Sequence, residues 1–237
     1  MTQKHYFVTG AGSGLGLALL RALVARGHAV IATGRRRTAE LPTDFPDLPY
    51  LCCDLSQPAQ ALAAGDWALA QAPLDAAILN AGAGFYRPLN AETAAAITAV
   101  LRLNLDANML LAHRLWPVLQ GGRLGLIGSV AHRGAPGMPV YAASKAALDG
   151  FGRALAEEWR GKVTVRVLHP GPVATGMSER AGRARDALDR LFLPPRATAL
   201  ALIAALEAKN GADRQVIAHR RVAQVALQAR LGLGGHR

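Results

Sequence analysis

The chain of 237 residues is 51% hydrophobic, which argues against disorder, and its length fits one large α/β domain or two small ones. Its formal net charge of +11 comes from scattered basic residues, and aromatic residues make up only 5% of the chain. Without a Lys/Arg block interleaved with aromatics, a basic surface that attracts anionic ligands is favoured over nucleic-acid binding.

The N-terminus and the cysteines bear on the compartment. Residues 1–5 run directly into a strand and show no signal peptide, and no apolar stretch free of charge and glycine is long enough to cross a bilayer. Cys52 and Cys53 are adjacent, cannot link distant segments, and are interpreted as buried thiols. We therefore expect a cytoplasmic protein, and the sequence predicts no metal site.

The first strand, His5–Thr9, is followed by a glycine-rich turn and a helical pattern over Leu17–Arg26. Gly27 ends that helix and Ala29–Thr33 is the second strand, so the segment is a βαβ unit. Glycines let the backbone approach a pyrophosphate, while the helix N-terminus supplies N–H groups and a positive dipole. The turn residues predicted to bind a dinucleotide are Gly10, Ser13, Gly14, Leu15 and Gly16.

The residues after the second strand indicate which dinucleotide binds. A fold that selects NAD normally has an acidic side chain here, whereas this chain has Gly34 followed by three arginines. A guanidinium fork matches a 2′-phosphate, and Arg35 is the best candidate because it follows Gly34 directly. The alternative is a solvated basic loop. NADP is the predicted cofactor.

Two further strands follow in the middle of the chain. Tyr50–Cys53 is the third and ends in Asp54 and Leu55, before a helix over Ser56–Ala70. Ala76–Leu79 is the fourth strand, and small residues after it allow close approach of a cofactor. Those residues are Asn80, Ala81 and Gly82.

A long helix over Glu92–Leu119 carries Asn104 midway, where a buried amide must find partners and can bend the helix or hold water. The fifth strand, Leu124–Ser129, ends on Ser129 at the edge where parallel sheets bind ligands. Five residues are expected to line a substrate crevice near this edge. They are Phe85, His132, Arg133, Met138 and Met177.

Tyr141 and Lys145 lie four residues apart and share one face of a helix over 141–160. This helix and the helix over 92–119 are apolar or small on nearly every face. Helices of that kind are buried on more than one side, so we expect a partner subunit to cover both. The sequence thus predicts a homodimer or homotetramer formed through these two helices.

The last third begins with a sixth strand over Val163–Leu168 and a turn, Pro170–Thr175. Residues 177–195 are rich in arginine and are the predicted substrate lid. A helix over Pro195–Ala208 and a last strand over Arg214–Ala218 precede an atypical basic extension, 219–237. A helix predicted within that extension is favoured to pack on a neighbouring subunit rather than to lie on a membrane. No linker or repeat divides residues 1–237, which indicates a single domain.

In this order, the glycine turn, Asn80-Ala81-Gly82, Ser129, and Tyr141 with Lys145 resemble the classical short-chain dehydrogenase/reductase family, in its NADP-preferring type. The resemblance covers roughly the first three quarters of the chain. It implies an α/β fold with one Rossmann-type doubly wound domain, whose mostly parallel seven-stranded sheet has the order 3-2-1-4-5-6-7.

The resemblance also implies roles for individual residues. Asn104, Ser129, Tyr141 and Lys145 correspond to the catalytic residues, with Asn104 anchoring a water in a proton relay. Tyr141 and Lys145 would also contact the cofactor, with Lys145 binding the nicotinamide ribose. Asp54, with Leu55, corresponds to the contact with the adenine ring, although a carboxylate at the start of the next helix is an alternative reading. The residues that would hold the nicotinamide side are Pro170, Gly171, Val173 and Thr175.

The leading functional hypothesis is an NADP-dependent oxidoreductase that interconverts a carbonyl and an alcohol. A neighbouring ammonium favours a phenolate, so Tyr141 can serve as general acid or base, while Ser129 donates to the developing alkoxide. A non-catalytic NADP-binding regulator would need no such set of residues. A membrane-peripheral reductase of a lipid-like substrate is the third alternative. The substrate itself is not indicated.

Overall fold

The computed structural model describes residues 2–184 and 187–218. Within them, seven strands form one sheet in the order β3-β2-β1-β4-β5-β6-β7, which is the predicted order. The strands are β1 His5–Thr9, β2 Ala29–Gly34, β3 Tyr50–Cys52, β4 Ala76–Leu79, β5 Arg123–Ile127, β6 Thr164–Pro170 and β7 Arg214–Ile217. All six neighbouring pairs are parallel, so the carboxyl ends of the strands lie at one edge.

Helices cover both faces of the sheet. They are α1 Gly14–Val24, α2 Pro58–Ala70, α3 Ala94–Leu101, α4 Ala107–Leu115, α5 Pro139–Glu158, α6 Met177–Arg180 and α7 Pro195–Glu207. Strand side chains alternate between faces, so Phe7 packs with α2, α4 and α5 while its neighbours Tyr6 and Val8 pack with α1 and α7. The near-continuous apolar strands follow from burial on both faces.

The prediction of one continuous helix over 92–119 is wrong in the middle of that range and at its end. Thr93 caps the start by accepting a hydrogen bond from the N–H of Ala96, so α3 begins at Ala94. Residues Arg102–Asp106 form a π-helical turn, and α4 ends at Leu115 before Trp116-Pro117. A π turn is a wider loop of helix that often marks a functional position. Asn104, which is fully buried, lies within it.

Helical residues Ala94–Val118 are long and apolar enough to cross a membrane by length and composition, with 28% of the most apolar window buried. The same segment carries Asn104 and Asn108, both buried against the rest of the fold. Their amides are used inside the protein, as the site geometry below shows.

The last part of the chain is described up to residue 218. Within the predicted lid, 177–195, α6 is followed by a short 3₁₀ turn over Ala187–Leu191, and Leu193 pairs with Val173 in an isolated β-bridge. The predicted last strand is present as β7. The extension 219–237, with its predicted helix, lies outside the described residues.

Candidate active site

Helix α5 places Tyr141 and Lys145 at the carboxyl edge of the sheet. Pro139 occupies the first turn of the helix, where its missing N–H costs nothing, so both residues lie within the first two turns. The Lys145 ammonium is 3% exposed, donates to the Ile127 carbonyl at 2.8 Å and lies 5.8 Å from the centre of the Tyr141 ring. Burial lowers the pKa of Lys145 to about 8, so the side chain is still mainly a cation at neutral pH.

The Tyr141 phenol makes a side-chain hydrogen bond with Ser129, the residue that follows the end of β5. Burial raises the pKa of Tyr141, and a hydrogen bond with the Ser129 hydroxyl opposes that effect without cancelling it. The sequence-based argument emphasised the ammonium, which would lower this pKa. In the structure burial dominates, so the site holds a protonated phenol, the form that can give a proton to an oxygen atom.

Asn104 fixes the loop after β4 to helix α5. Its Oδ1 accepts from the N–H of Ala83 at 2.8 Å, and its Nδ2 donates to the Ala83 carbonyl at 2.8 Å and to the Ser144 hydroxyl at 2.9 Å. The Asn104 carbonyl accepts from the Asn108 amide at 2.9 Å. Both amide hydrogens are therefore used by protein atoms, and the predicted water relay remains a prediction that rests on the carbonyl oxygen.

The loop that Asn104 holds is packed tightly against the two residues of α5. A Cβ atom at Gly82 would lie 3.2 Å from Asn104 Oδ1 and 3.4 Å from Lys145 Nζ. At Gly84 it would lie 2.6 Å from the Tyr141 ring. Glycine at both positions leaves bare backbone beside the ammonium and the phenol, where a flat ligand can approach.

The predicted glycine-rich turn forms a cradle at the N-terminus of α1. Gly10 and Gly14 have positive φ values of 68° and 57°, which favour glycine. A Cβ at Gly16 would lie 2.1 Å from the Gly10 carbonyl oxygen, so only glycine fits. Ser13 is the N-cap but makes no capping hydrogen bond, and no acidic residue occupies the first turn. The N–H groups and the Ser13 hydroxyl suit a phosphate.

Asn80 and Ala81 tie β4 to this turn through a residue that the sequence interpretation missed. The Thr9 hydroxyl accepts from the N–H groups of Asn80 and Ala81 at 2.9 and 3.0 Å, and Asn80 Nδ2 donates to the Thr9 carbonyl at 3.0 Å. Asn80 thus holds two neighbouring strand ends together. The sequence did contain one indication that Thr9 matters, because it is a polar residue at the end of a buried strand.

The arginine segment lies beside the glycine turn, and Gly34 has a packing reason of its own. A Cβ at Gly34 would lie 2.6 Å from the Tyr50 hydroxyl. The Arg36 Cβ lies 3.6 Å from where a Cβ at Gly12 would be, and both Arg35 and Arg36 are exposed. In contrast, Arg37 is paired with Glu40. The structure therefore offers Arg36 beside the predicted Arg35 as a cation near this turn.

Asp54 and Leu55 follow β3 as predicted. The Asp54 carboxylate accepts from the N–H and the hydroxyl of Ser56 at 3.0 and 2.8 Å, and helix α2 begins only at Pro58. One carboxylate oxygen thus closes a local turn rather than capping α2 directly, and the adenine contact implied by the resemblance stays a prediction. Leu55 is buried in the core.

The turn after β6 faces the glycine turn across the edge of the sheet. Gly171 donates to the Ile217 carbonyl at 3.1 Å, and Val173 is bridged to Leu193. The Thr175 Cβ lies 3.1 Å from where a Cβ at Gly14 would be. Thus Thr175 lies beside the start of α1, and the contact of Pro170, Gly171, Val173 and Thr175 with the nicotinamide side of a cofactor stays a prediction.

Three loops meet above Tyr141. The Tyr86 N–H donates to Ala181 at 2.5 Å, and the Arg87 N–H donates to Gly137 at 2.6 Å. These bonds join the loops that carry three predicted pocket residues, Phe85, Met138 and Met177, all of them partly buried. Arg87 lies 5.3 Å from the Phe85 ring centre and pairs with Glu92 at 3.5 Å.

The other two predicted pocket residues lie elsewhere. Arg133 is exposed in the short 3₁₀ turn after Ser129. The His132 ring packs on His169, with ring centres 4.1 Å apart, and its Nδ1 lies 2.6 Å from the Ser129 carbonyl oxygen. His132 therefore supports the main chain of Ser129 rather than forming a wall of the crevice.

Comparison with known proteins agrees with this architecture. A family model described as "short chain dehydrogenase" matches residues 4–186. The chain is 30% identical to L-xylulose reductase of Bos taurus over 211 residues, 80% of this chain and 82% of that protein. It is 32% identical to the cyclic-di-GMP-binding biofilm dispersal mediator protein of Escherichia coli over 200 residues, 81% of this chain and 82% of that protein.

A solved short-chain dehydrogenase of Burkholderia cenocepacia, in complex with NADP, is similar with a TM-score of 0.79, 29% identity and 97% coverage of both chains. The parallel sheet of this order, with a glycine-rich turn between β1 and α1, defines the Rossmann class of dinucleotide-binding folds. The chain belongs to the short-chain dehydrogenase/reductase family of oxidoreductases.

Proposed function

We propose that this oxidoreductase uses NADP(H) to interconvert a carbonyl and an alcohol, with Tyr141 as the general acid and base. The observation that carries the proposal is the combination of a partly buried, protonated phenol with a buried ammonium one helical turn away. Lys145 is 3% exposed, and within the described residues its ammonium donates a hydrogen bond to a neutral carbonyl group. A cation that costs this much to bury indicates a ligand or a reaction that uses it.

The cradle at α1 fits the pyrophosphate of a dinucleotide, because it combines an uncapped helix N-terminus, a Ser13 hydroxyl that makes no capping hydrogen bond, and glycines such as Gly16 that no larger residue could replace. Arg35 and Arg36 would hold the 2′-phosphate of NADP. The bound cofactor supplies or accepts a hydride at the carbonyl carbon. A structural relative that was solved with NADP supports the same choice.

The protein's own residues handle the charge that develops on oxygen. As hydride reaches the carbonyl carbon, the electron pair of the double bond moves to oxygen, and the Tyr141 hydroxyl gives its proton there. The Ser129 hydroxyl donates a hydrogen bond to the same oxygen, as in an oxyanion hole. The Lys145 cation stabilises the phenolate that remains. Asn104 holds the Gly82–Gly84 loop in place beside Tyr141 and Lys145.

A panel of ketones, aldehydes and alcohols tested with NADPH and NADH is the direct experiment. The proposal predicts NADPH-dependent reduction of at least one carbonyl class and a strong preference over NADH. The alternative of a non-catalytic regulator predicts NADPH binding with no turnover across the panel. Equal kcat/KM for the two cofactors would refute the assignment of the arginine segment.

We also propose that α3, α4 and α5 pair with a second subunit, giving a dimer or tetramer. Small apolar side chains on the outer faces of these helices are exposed in the single chain, among them Ala99 and Ala147. Ala147→Glu is expected to reduce the mass measured by light scattering, whereas Ala63→Glu, on an exposed position of α2, leaves it unchanged. A monomeric protein without substitutions would contradict the proposal.

A further inference from the structure

Two histidine rings hold the main chain of Ser129. His169, fully buried on β6, has its Nδ1 3.3 Å from the Ser129 nitrogen and 3.1 Å from the Ser129 carbonyl oxygen. His132 has its Nδ1 2.6 Å from the same carbonyl oxygen. The rings stack on each other with centres 4.1 Å apart. The two histidines thus contact both the N–H and the carbonyl oxygen of Ser129, the serine that faces Tyr141.

The partners of each ring determine where its proton lies. His169 Nε2 lies 2.8 Å from Asp149 Oδ1, and a carboxylate can only accept, so Nε2 carries the hydrogen. Burial lowers the pKa of His169, so the ring is neutral at neutral pH and carries a single hydrogen. With that hydrogen on Nε2, Nδ1 cannot donate to the Ser129 carbonyl oxygen 3.1 Å away and is instead an acceptor for the Ser129 N–H. A carbonyl oxygen can only accept, so the Ser129 carbonyl requires a hydrogen on His132 Nδ1. A guanidinium can only donate, so the Arg214 contact requires His132 Nε2 to be an acceptor.

Arg214 connects His132 with Asp149 and so completes a closed set of hydrogen-bonded residues, here called the circuit. Its Nη2 contacts His132 Nε2, and its Nε donates to Asp149 Oδ1 at 2.9 Å. The contacts among Ser129, His132, Arg214, Asp149 and His169 therefore form a closed circuit in which each bond joins a donor to an acceptor. The ligand atoms of His132, Asp149 and His169 lie within 4.8 Å of one another, but a cation among them would face the guanidinium that already bonds to two of the three.

Asp149 is the buried charge on which the circuit depends. Its side chain is 8% exposed, and it lies one helical turn beyond Lys145 and two beyond Tyr141 on α5. A buried ion pair contributes little net stability, because desolvation offsets the attraction. The orientation that it imposes on His169 is a better explanation for its position.

We propose that Asp149 and His169 are positioning residues for Ser129. Asp149 selects the Nε2–H form of His169, which leaves Nδ1 to accept the Ser129 N–H and so sets the direction in which the Ser129 hydroxyl points at Tyr141. His169 also precedes Pro170, so the same ring links the serine to the turn that faces the cofactor crevice. The catalytic part of this inference rests on the proposed function.

Two substitutions of His169 separate hydrogen bonding from packing. His169→Leu removes the acceptor and is expected to lower kcat roughly tenfold with KM nearly unchanged, the equivalent of one lost hydrogen bond of about 1.4 kcal/mol. His169→Asn places an oxygen near the position of Nδ1 and is expected to restore most of that loss. In a Ser129→Ala background His169→Leu should have no further effect on kcat, whereas a purely structural role would give the full additional loss.

A measurement without turnover tests the circuit by itself. Nitrogen-15 spectra of the histidine rings in the unsubstituted protein should show the hydrogen of His169 on Nε2 and that of His132 on Nδ1. Asp149→Leu should convert His169 to a mixture of the two forms. Opposite tautomers in the unsubstituted protein would overturn the inference, and an inactive enzyme with the expected tautomers would instead count against the proposed function.

Discussion

Replacing Lys145 by methionine removes a buried cation but keeps a side chain of similar length, so we expect a more stable protein that has lost its activity. The ammonium is 3% exposed and donates one hydrogen bond, to the Ile127 carbonyl at 2.8 Å. Burial lowers its pKa from 10.5 to about 8. The folded state therefore binds this proton more weakly than the unfolded chain does.

The size of the effect follows from that difference. At about 1.36 kcal/mol for each pKa unit, holding the charged lysine disfavours the folded state by roughly 3 kcal/mol near pH 7. Methionine leaves the Ile127 carbonyl without its partner, which costs about 1 kcal/mol. The net gain of about 2 kcal/mol corresponds to a rise in Tm of roughly 4–8 °C for a chain of this size.

The pH dependence of the stability difference shows whether the Lys145 charge is its cause. Because the pKa of Lys145 is lowered on folding, the unfolding free energy of the unsubstituted protein rises with pH between about 8 and 10.5. Lys145→Met lacks this rise, so its advantage is complete below about pH 8 and disappears as pH approaches the ordinary lysine pKa of about 10.4.

Denaturant titrations of the ligand-free protein at about pH 7 and about pH 10 measure both quantities. Lys209→Met, at an exposed position, is the matched control and should change neither. The reasoning is refuted if Lys145→Met is less stable at the lower pH, or if its difference from the unsubstituted protein is the same at both pH values.

Two further predictions concern the cofactor and the phenol. Replacing Arg35 and Arg36 together by alanine should raise the KM for NADPH about ten- to a hundredfold, the loss of a charge-assisted contact, while Arg37→Ala should change it little because Arg37 pairs with Glu40. Steady-state kinetics with NADH, which has no 2′-phosphate, should change little in either variant, and a parallel loss with NADH would contradict the assignment. Gly84→Ala would bring a Cβ within 2.6 Å of the Tyr141 ring, so kcat should fall and stability should drop by about 1–3 kcal/mol. Gly150→Ala, which meets nothing within 4 Å, should instead stabilise helix α5, and unchanged kcat in Gly84→Ala would count against the tight packing of the ring.

The parallel sheet and the meeting of the main site residues were predictable from the sequence pattern, and the strand order was predicted from the resemblance to the family. Alternating apolar strands and helices dictate a parallel sheet, and the polar residues that end β4 and β5 must then meet at one edge. Tyr141 and Lys145 share a helix face because of their spacing alone. Glycines that clash with any side chain, such as Gly16, were recognisable because they interrupt the start of a helix.

Features that depend on contacts between distant residues were not predictable. In the sequence interpretation, the glycine at position 34 was explained only by a preference for NADP. The structure adds a second cause, because Tyr50 leaves no room for a side chain there. His132 was expected in the crevice, but its partners, His169 and Arg214, come from β6 and β7. The raised pKa of Tyr141 depends on burial, which spacing does not reveal.

The central claim is that the Tyr141 hydroxyl is the proton donor, and Tyr141→Phe tests it most directly. Phenylalanine keeps the ring that packs on Gly84 and removes only the oxygen atom. NADPH binding, measured by calorimetry, should stay within about threefold, while kcat with the best carbonyl of the panel should fall by roughly 10²–10⁴, the usual contribution of a general acid. Turnover in Tyr141→Phe close to that of the unsubstituted enzyme, with NADPH bound equally well, would contradict the account.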